Sequence, residues 1–351
     1  MSAQEGILIN ASATIRERRT IRKFKSTPVA QEQIISLLNE AAGLYEPAGT
    51  PRWRCIYYDS LESRQRLAGS MLAKIKESRF GKFIPDRMTD FFSKQAAEIP
   101  AQLAFITESA NTRRQSDENY AAVCSIMQNF QLLGWEQGLG MLWYTDPQIM
   151  SETFFKEIGL QNGERFAGIL SIGYFEKVPR ARKRTPAEQK WTVIGGDDHP
   201  HPHMNADILP YSPQTILGML NAAVYAPNDG MREPWRFVYV TGGEAAGKLR
   251  SLQGNSSTEF LLVVAKEEGD LHKQDEDYAA VCSLIQNFQL LTKTNHWHVY
   301  RTIPEWTYSR EKCTPFGIRP QERIAAVLEF GADIRRLSSA HTPLTVNVLQ
   351  R

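Results

Sequence analysis

The sequence lacks the features that mark membrane, secreted and redox-active chains. It has no apolar run long enough to span a bilayer, and its N-terminus is not a basic, apolar signal sequence. Its 4 cysteines show no Cys-x-x-Cys spacing, and a net charge of +2 gives no reason to expect nucleic acid as a partner. We therefore expect a cytoplasmic protein with buried, reduced cysteines and no membrane partner.

Metal ligands are scarce as well. Three histidines alternate with prolines in the run HPHPH at 199–203, and an extended chain there could chelate a metal. No cysteine or carboxylate cluster accompanies the run to complete a coordination sphere. We therefore expect no metal site.

One sequence block occurs twice. DENYAAVCSIMQNFQLL at 117–133 returns as DEDYAAVCSLIQNFQLL at 275–291, an offset of 158 residues. Upstream, matches such as Trp53 with Trp235 follow an offset of 182, so the second copy is 24 residues shorter. We assign most of the missing piece to residues 72–94 of the first copy, a candidate lid. The chain is a tandem duplication.

The domain boundaries follow from the two offsets. Repeat 1 is predicted to span 1–190 and repeat 2 to span 208–351. Between them, 191–207 is rich in Gly, Asp, Pro and His, a composition typical of a linker.

The same secondary structure is predicted in both repeats, and the fold class is α+β. The spacing of apolar residues predicts helices at 31–43 and 213–226, and the repeated block predicts a helix that is apolar around most of its circumference. Strands are predicted from β-branched and aromatic runs at 54–60, 101–107, 167–175, 236–242, 259–265 and 325–333. We expect two mixed sheets flanked by helices, packed together through the two central apolar helices.

Two segments of repeat 1 could bind a ligand. Arg18, Arg19, Thr20 and Arg22 combine guanidinium groups with a hydroxyl, which suits a phosphate but also a solvated helix face. In the run Gly138-Leu139-Gly140, the glycines would let the backbone approach a flat ligand, or would cap the preceding helix.

Two further segments carry the same ambiguity. Arg180, Arg182, Lys183 and Arg184 form a basic run that could hold a phosphate or be solvated loop. In repeat 2, residues 226–236 read APNDGMREPWR, a turn between a helix and a strand that could be purely structural.

Together these segments resemble the nitroreductase family of flavin enzymes, once in each repeat. The family carries a helix-borne Arg-Arg-Ser/Thr-x-Arg, a Pro-Ser-x-x-Asn-x-Gln-Pro-Trp turn, a Gly-Leu-Gly-x-x-Trp element and a basic Pro-Lys-x-Arg-like segment. Here they stand at 18–22, 227–235, 138–143 and 179–182. Family members are homodimers with FMN in the interface, so the resemblance implies a nitroreductase-like fold in which a single chain suffices as a pseudo-dimer.

Each repeat has lost the motifs that the other keeps. At the offset of 182, the positions of the arginines fall in the linker before repeat 2 and carry Pro200, His201 and Met204. Repeat 1 has Tyr45 and Gly49 in place of the turn's Pro and Asn. The resemblance thus implies one composite FMN site, formed by Arg18, Arg19, Thr20, Arg22, Gly138, Leu139, Gly140, Arg180 and Arg182 with Pro227, Asn228 and Met231 of repeat 2.

The implied reaction is ping-pong hydride transfer from NAD(P)H to a small acceptor such as a nitroaromatic or a quinone. No acid–base residue is nominated, because Tyr120 and Glu118 have copies in Tyr278 and Glu276, which favours a structural role. Two kinds of alternative stay open. Met231 replaces the motif's Asn, which allows a flavin carrier or sensor without turnover or a degenerate scaffold, and a flavin-fragmenting or dehalogenating relative is equally compatible with the motifs.

Overall fold

A computed structural model describes residues 10–46, 51–77, 94, 96–195, 212–254, 257, 259–297, 299–330 and 348–350. The chain forms two compact units. The N-terminal unit comprises the described part of 18–181 and the last strand, and the C-terminal unit comprises the first helix and the described part of the chain from Arg182 onward. The HPHPH run and most of the predicted lid lie outside the described residues.

The N-terminal unit contains one sheet of five strands. They are β1 (Trp53–Tyr58), β2 (Ala101–Glu108), β3 (Leu139–Tyr144), β4 (Glu164–Tyr174) and β10 (Val348–Gln350), in the order β10-β1-β2-β4-β3. β10 runs parallel to β1, and the other neighbours are antiparallel. The described helices of this unit are α2 (Gln31–Gly43), α3 (Leu61–Glu77), α4 (Arg113–Glu136) and α5 (Glu152–Glu157).

The C-terminal unit repeats this topology. Its strands are β5 (Trp191–Ile194), β6 (Trp235–Thr241), β7 (Glu259–Lys266), β8 (Val299–Thr302) and β9 (Glu322–Phe330), in the order β5-β6-β7-β9-β8, with β5 parallel to β6. Its described helices are α1 (Ala11–Glu17), α6 (Pro213–Ala223), α7 (Gly243–Gln253), α8 (Leu271–Thr294) and α9 (Arg310–Cys313). Two equivalent mixed sheets with helices confirm the predicted fold class.

The repeated block forms the central helix of each unit. α4 is capped by Thr112, whose hydroxyl accepts from the Gln115 N–H at 3.2 Å, and α8 is capped in the same way by Asp270. Nearly every side chain of α4 from Asp117 to Gly134 is buried, as the apolar pattern predicts. In each unit an asparagine of this helix donates to a backbone carbonyl of another helix, from Asn129 in α4 to Ala41 in α2 at 2.9 Å and from Asn287 in α8 to Ala223 in α6 at 3.1 Å.

The short terminal segments do not follow the order of the repeats. α1 belongs to the predicted repeat 1 but packs against α6 and α8 in the C-terminal unit, and β10 ends the chain but completes the N-terminal sheet. Trp191–Ile194, which open the predicted linker, form strand β5, because their backbone groups pair with those of Phe237–Val240. The boundaries of the sequence repeats themselves stay a prediction.

Two further features concern the cysteines and the length of the helices. All 4 cysteines are buried, as predicted for small side chains, and none forms a disulfide. None of the helices described in the structure is long and apolar enough to cross a membrane.

Candidate functional site

The arginine-rich segment after α1 is extended rather than helical. α1 ends at Glu17, so the helix-borne form of the family motif does not occur in this chain. Thr20 forms a parallel bridge with Met141 of β3, and the Ile21 N–H donates to the Met141 carbonyl oxygen at 3.0 Å. Backbone groups that a helix would satisfy internally are thus used to hold the segment along the edge of the sheet.

The side chains of this segment differ in exposure. Arg18 is 5% exposed, whereas Arg22 is exposed at the rim of a cavity in the N-terminal unit. The half-buried Arg19 donates from its guanidinium to the Arg18 carbonyl oxygen at 2.9 Å. Two guanidinium groups and the Thr20 hydroxyl on a fixed extended backbone make a donor set that suits a phosphate dianion.

The two glycines of the Gly-rich element have different structural roles. Gly138 has a φ of +74° just beyond the end of α4, a conformation that favours glycine, so the helix-cap interpretation applies to it. At Gly140 a Cβ would stand 2.4 Å from Cγ1 of Ile21 and 2.8 Å from Cδ1 of Phe175. Gly140 therefore allows the arginine segment to approach β3, and Leu139 between the glycines is buried.

The basic run divides between the two units. Arg180 belongs to the N-terminal unit and Arg182 to the C-terminal unit, and both are exposed. Arg184 is half-buried in the C-terminal unit, where its guanidinium contacts the Met231 thioether and donates to the Ala226 carbonyl oxygen at 3.4 Å. The run is therefore not a fully solvated loop, because Arg184, its last arginine, contacts the turn of repeat 2.

That turn has an unusual backbone. Gly230, Met231 and Glu233 have φ angles of 53°, 62° and 45°, in the left-handed region that side chains other than glycine rarely adopt. The Asn228 side-chain oxygen accepts from the Glu233 N–H at 3.1 Å and closes the turn, while Pro227 is half-buried. Non-glycine residues hold such angles where surrounding contacts enforce them.

Two charged pairs supply those contacts. Glu233 is 4% exposed, accepts from the Thr185 N–H at 3.1 and 3.2 Å, and lies 3.4 Å from the Lys190 ammonium. Lys190 also donates to the Glu233 carbonyl oxygen at 2.6 Å. Next to it, Arg232 pairs with Asp277 of α8. The turn is thus tied by both its carboxylate and its guanidinium to other parts of the C-terminal unit.

Burial shifts the pKa of two of these side chains, Asp277 and Lys190. It raises the pKa of Asp277 to about 6, against the opposing effect of Arg232. It also lowers the pKa of Lys190, although Glu233 counteracts this. Glu233 stands where the family motif has Gln, but Lys190 and Asp277 were not predicted from the sequence. A charged residue that is buried needs a partner of opposite charge. Glu233 at a motif position was therefore the sequence feature that could have indicated such a partner.

Tyr120 of repeat 1 and its counterpart Tyr278 of repeat 2 make equivalent contacts. The Arg165 guanidinium lies 3.7 Å from the centroid of the Tyr120 ring, and the equivalent distance between Arg323 and Tyr278 is 3.8 Å. Two repeats that kept different site motifs both keep this contact, which supports the structural interpretation of Tyr120.

The structure places the predicted residues in two groups. Within the N-terminal unit the segment 18–22 lies beside the strand that carries Gly140, and within the C-terminal unit the turn containing Pro227, Asn228 and Met231 lies against Arg184. Assignment of both groups to FMN stays a prediction. Among the residues that the structure describes, no group of three or more His, Cys, Asp or Glu side chains could hold a metal ion.

Comparison with known proteins gives consistent matches over about half of the chain. The Nitroreductase family model matches residues 15–174, which cover most of repeat 1. A putative NAD(P)H nitroreductase of Bacillus subtilis, YfhC, is 33% identical over 183 residues, which are 51% of this chain and 92% of that protein.

Solved structures match over a similar share of the chain. The nitroreductase-like family protein from Bacillus cereus is 35% identical and covers 53% of this chain and 97% of its own, with a TM-score of 0.49. Iodotyrosine deiodinase bound to FMN and 3-iodo-L-tyrosine is 19% identical and covers 50% of this chain and 95% of its own, with a TM-score of 0.38. Since YfhC is matched over almost its full length at this identity, the chain belongs to the nitroreductase family, a family of oxidoreductases.

Proposed function

We propose that this protein is an FMN-dependent NAD(P)H oxidoreductase that reduces small oxidised acceptors, such as nitroaromatics or quinones, at one composite flavin site per chain. The observation that carries the proposal is the extended arginine segment. The bridge between Thr20 and Met141 holds this segment along β3, and the lack of a side chain at Gly140 allows the close approach. Arg18 and Arg22 therefore lie on one fixed backbone. Arginine side chains held on one fixed backbone can bind a phosphate through charge-assisted hydrogen bonds.

The chain's residues have distinct tasks in this proposal. Arg18, Arg22, Arg180 and Arg182 bind the phosphate, and charge-assisted hydrogen bonds to guanidinium groups are the strong kind. The turn at Pro227, Asn228 and Met231 supports the ring, and its left-handed backbone is fixed by Glu233 and Lys190. When bound, FMN supplies the hydride chemistry, so the protein contributes binding, orientation and the exclusion of water. We assign no side chain to proton transfer.

The composite character of the site rests on the sequence. Repeat 2 has no arginines at the positions of Arg18 and Arg22, and repeat 1 has no Pro-to-Trp turn at the position of Pro227. Random decay would damage both possible sites, whereas one site keeps all four of its segments in recognisable form, with replacements such as Met231 only within the turn. Selection for a single site explains this pattern, and one flavin per chain follows.

The activity is tested by steady-state oxidation of NADH and NADPH with menadione or a nitroaromatic as acceptor. We expect turnover above the buffer blank, with double-reciprocal plots that stay parallel as the acceptor concentration changes. An Arg18→Ala variant should lose flavin and turnover together. A protein that binds FMN without turnover would instead be a carrier or sensor, the second candidate, which the replacement of the motif's Asn by Met231 favours.

A further inference from the structure

The N-terminal unit contains a cavity whose interior is not assigned to the flavin, although the proposed phosphate ligand Arg22 lies at its rim. It has a volume of about 840 Å³ and lies between α3 and the face of the sheet that α3 covers. Its described walls are mostly apolar, with two polar side chains set into the sheet: Met71, Leu72, Ile99 and Leu142, with Gln102 and Ser171. A cavity of this size matches those that bind small molecules.

Gln102 is the distinctive polar group of this cavity. Its side chain is buried, at 1% exposure, and its Nε2 donates to the Ser171 hydroxyl at a long 3.5 Å. Its Oε1 is buried without a hydrogen-bond partner among the residues that the structure describes. An unsatisfied buried amide oxygen is destabilising unless a ligand donates a hydrogen bond to it.

In repeat 2, the positions equivalent to this cavity carry side chains that hydrogen-bond to one another. At the two repeat offsets, Met71 corresponds to Gln253 and Ser171 to Glu329. Gln253 donates to a Glu329 oxygen at 2.7 Å and to the Thr302 hydroxyl at 3.2 Å, and it accepts from the Trp306 indole N–H at 3.0 Å. The polar groups of repeat 2 therefore satisfy one another across the sheet.

The sequence of repeat 1 cannot form this network. Met71 has no amide to place at the centre, and Gln102 corresponds to Phe260, which packs in the apolar core of the C-terminal unit. One repeat thus fills the space with its own side chains. The other keeps an open cavity with an unsatisfied acceptor, a difference that a purely structural role for the cavity does not explain.

We infer that this cavity is a binding site for a small, neutral aromatic molecule that carries one hydrogen-bond donor, such as a phenol or an aryl amine. The donor meets Gln102 Oε1, and the ring lies between the aliphatic wall and the Met71 thioether, which packs well against aromatic rings. At the rim, Arg22 and Lys23 face Glu98, so charge of both signs is present and a net charge on the ligand is not required. The inference does not depend on the flavin.

A matched pair of probes tests the inference. Binding of 2-naphthol and of its methyl ether, 2-methoxynaphthalene, is measured by equilibrium dialysis on the protein as purified with added FMN. We expect the phenol to bind about tenfold more tightly, because the ether has no donor for Gln102. Gln102→Met should remove that preference and leave the urea midpoint unchanged or higher, since it deletes an unsatisfied polar group of similar volume.

A second variant guards against an indirect effect of Gln102→Met. Leu142→Trp should fill the cavity and weaken both probes while the flavin content stays the same. The inference is overturned if the two probes bind equally, if Gln102→Met lowers the midpoint as a structural residue would, or if 2-naphthol binds solely to protein stripped of flavin.

Discussion

Replacing Gly140 with alanine is expected to remove most of the bound flavin. The new methyl group would stand 2.4 Å from Ile21 Cγ1 and 2.7 Å from Ile21 Cβ, so the arginine segment would have to move away from β3. Overpacking of this kind typically costs about 1–3 kcal/mol. Displacement of Thr20 and Arg22 from the phosphate should also raise the flavin dissociation constant at least tenfold, which a titration followed by flavin fluorescence measures.

Gly69→Ala is the matched control for this change. Gly69 lies in α3 of the same unit, and a Cβ there would have no neighbour within 4 Å. This variant should bind flavin as the parent does and be slightly more stable, because alanine favours the helix. A Gly140→Ala variant with parental flavin affinity and urea midpoint would show that the contact between Ile21 and β3 does not matter for binding.

Replacing Arg54 with methionine is expected to destabilise the N-terminal unit by about 2 kcal/mol, because a half-buried carboxylate loses a bidentate charged partner. Arg54 Nε and Nη2 donate to the two Glu164 oxygens at 2.7 and 2.6 Å, and Nη2 also donates to the Gly159 carbonyl oxygen at 2.8 Å. Burial raises the pKa of Glu164, but these hydrogen bonds and one from the Gln161 backbone outweigh it and lower the pKa overall. The carboxylate is therefore charged at neutral pH in the parent protein, where Arg54 stabilises it.

The duplication supplies the control for this prediction. Arg236 makes the same bidentate pair with Glu322 at 2.8 and 2.7 Å and donates to the Gly317 carbonyl oxygen at 2.6 Å. Arg236→Met should therefore destabilise the C-terminal unit by a similar amount in urea unfolding. The double variant Arg54→Met/Glu164→Leu should recover most of the loss, since no charge is left unpaired. A change below about 0.5 kcal/mol for Arg54→Met would contradict the account.

Most of the regular structure could be predicted from the sequence, because each element repeats at a fixed offset and carries a strong pattern. The central helices were predicted from their apolar circumference, and six of the strands from their β-branched and aromatic runs. β3, β5, β8 and β10 were not, and for β3 and β5 the local reasons differ. β3 was assigned to a glycine element after a helix, and β5 has four residues in front of a Gly-Gly-Asp-Asp run that indicates a loop.

The candidate site was partly predictable for a similar reason. Short motifs locate residues such as Arg18 and Pro227, but they do not state the backbone conformation, and the arginine segment proved to be extended. The turn is held in place by Lys190, which is 43 residues before its partner Glu233 in the chain. Pairing at that separation is set by the tertiary fold, so no local pattern reports it. The exchange of α1 and β10 between the units escapes sequence analysis for the same reason.

The ratio of flavin to chain tests the central claim most directly. The protein is purified with excess FMN, freed of unbound flavin, and its flavin content is determined from the visible spectrum after denaturation against the chain concentration from amino-acid analysis. Complementary loss of motifs in the two repeats predicts one flavin per chain, and none after either Arg18→Ala or Pro227→Ala, since both changes affect the same site. Two flavins per chain in the parent, or one remaining in either variant, would contradict it.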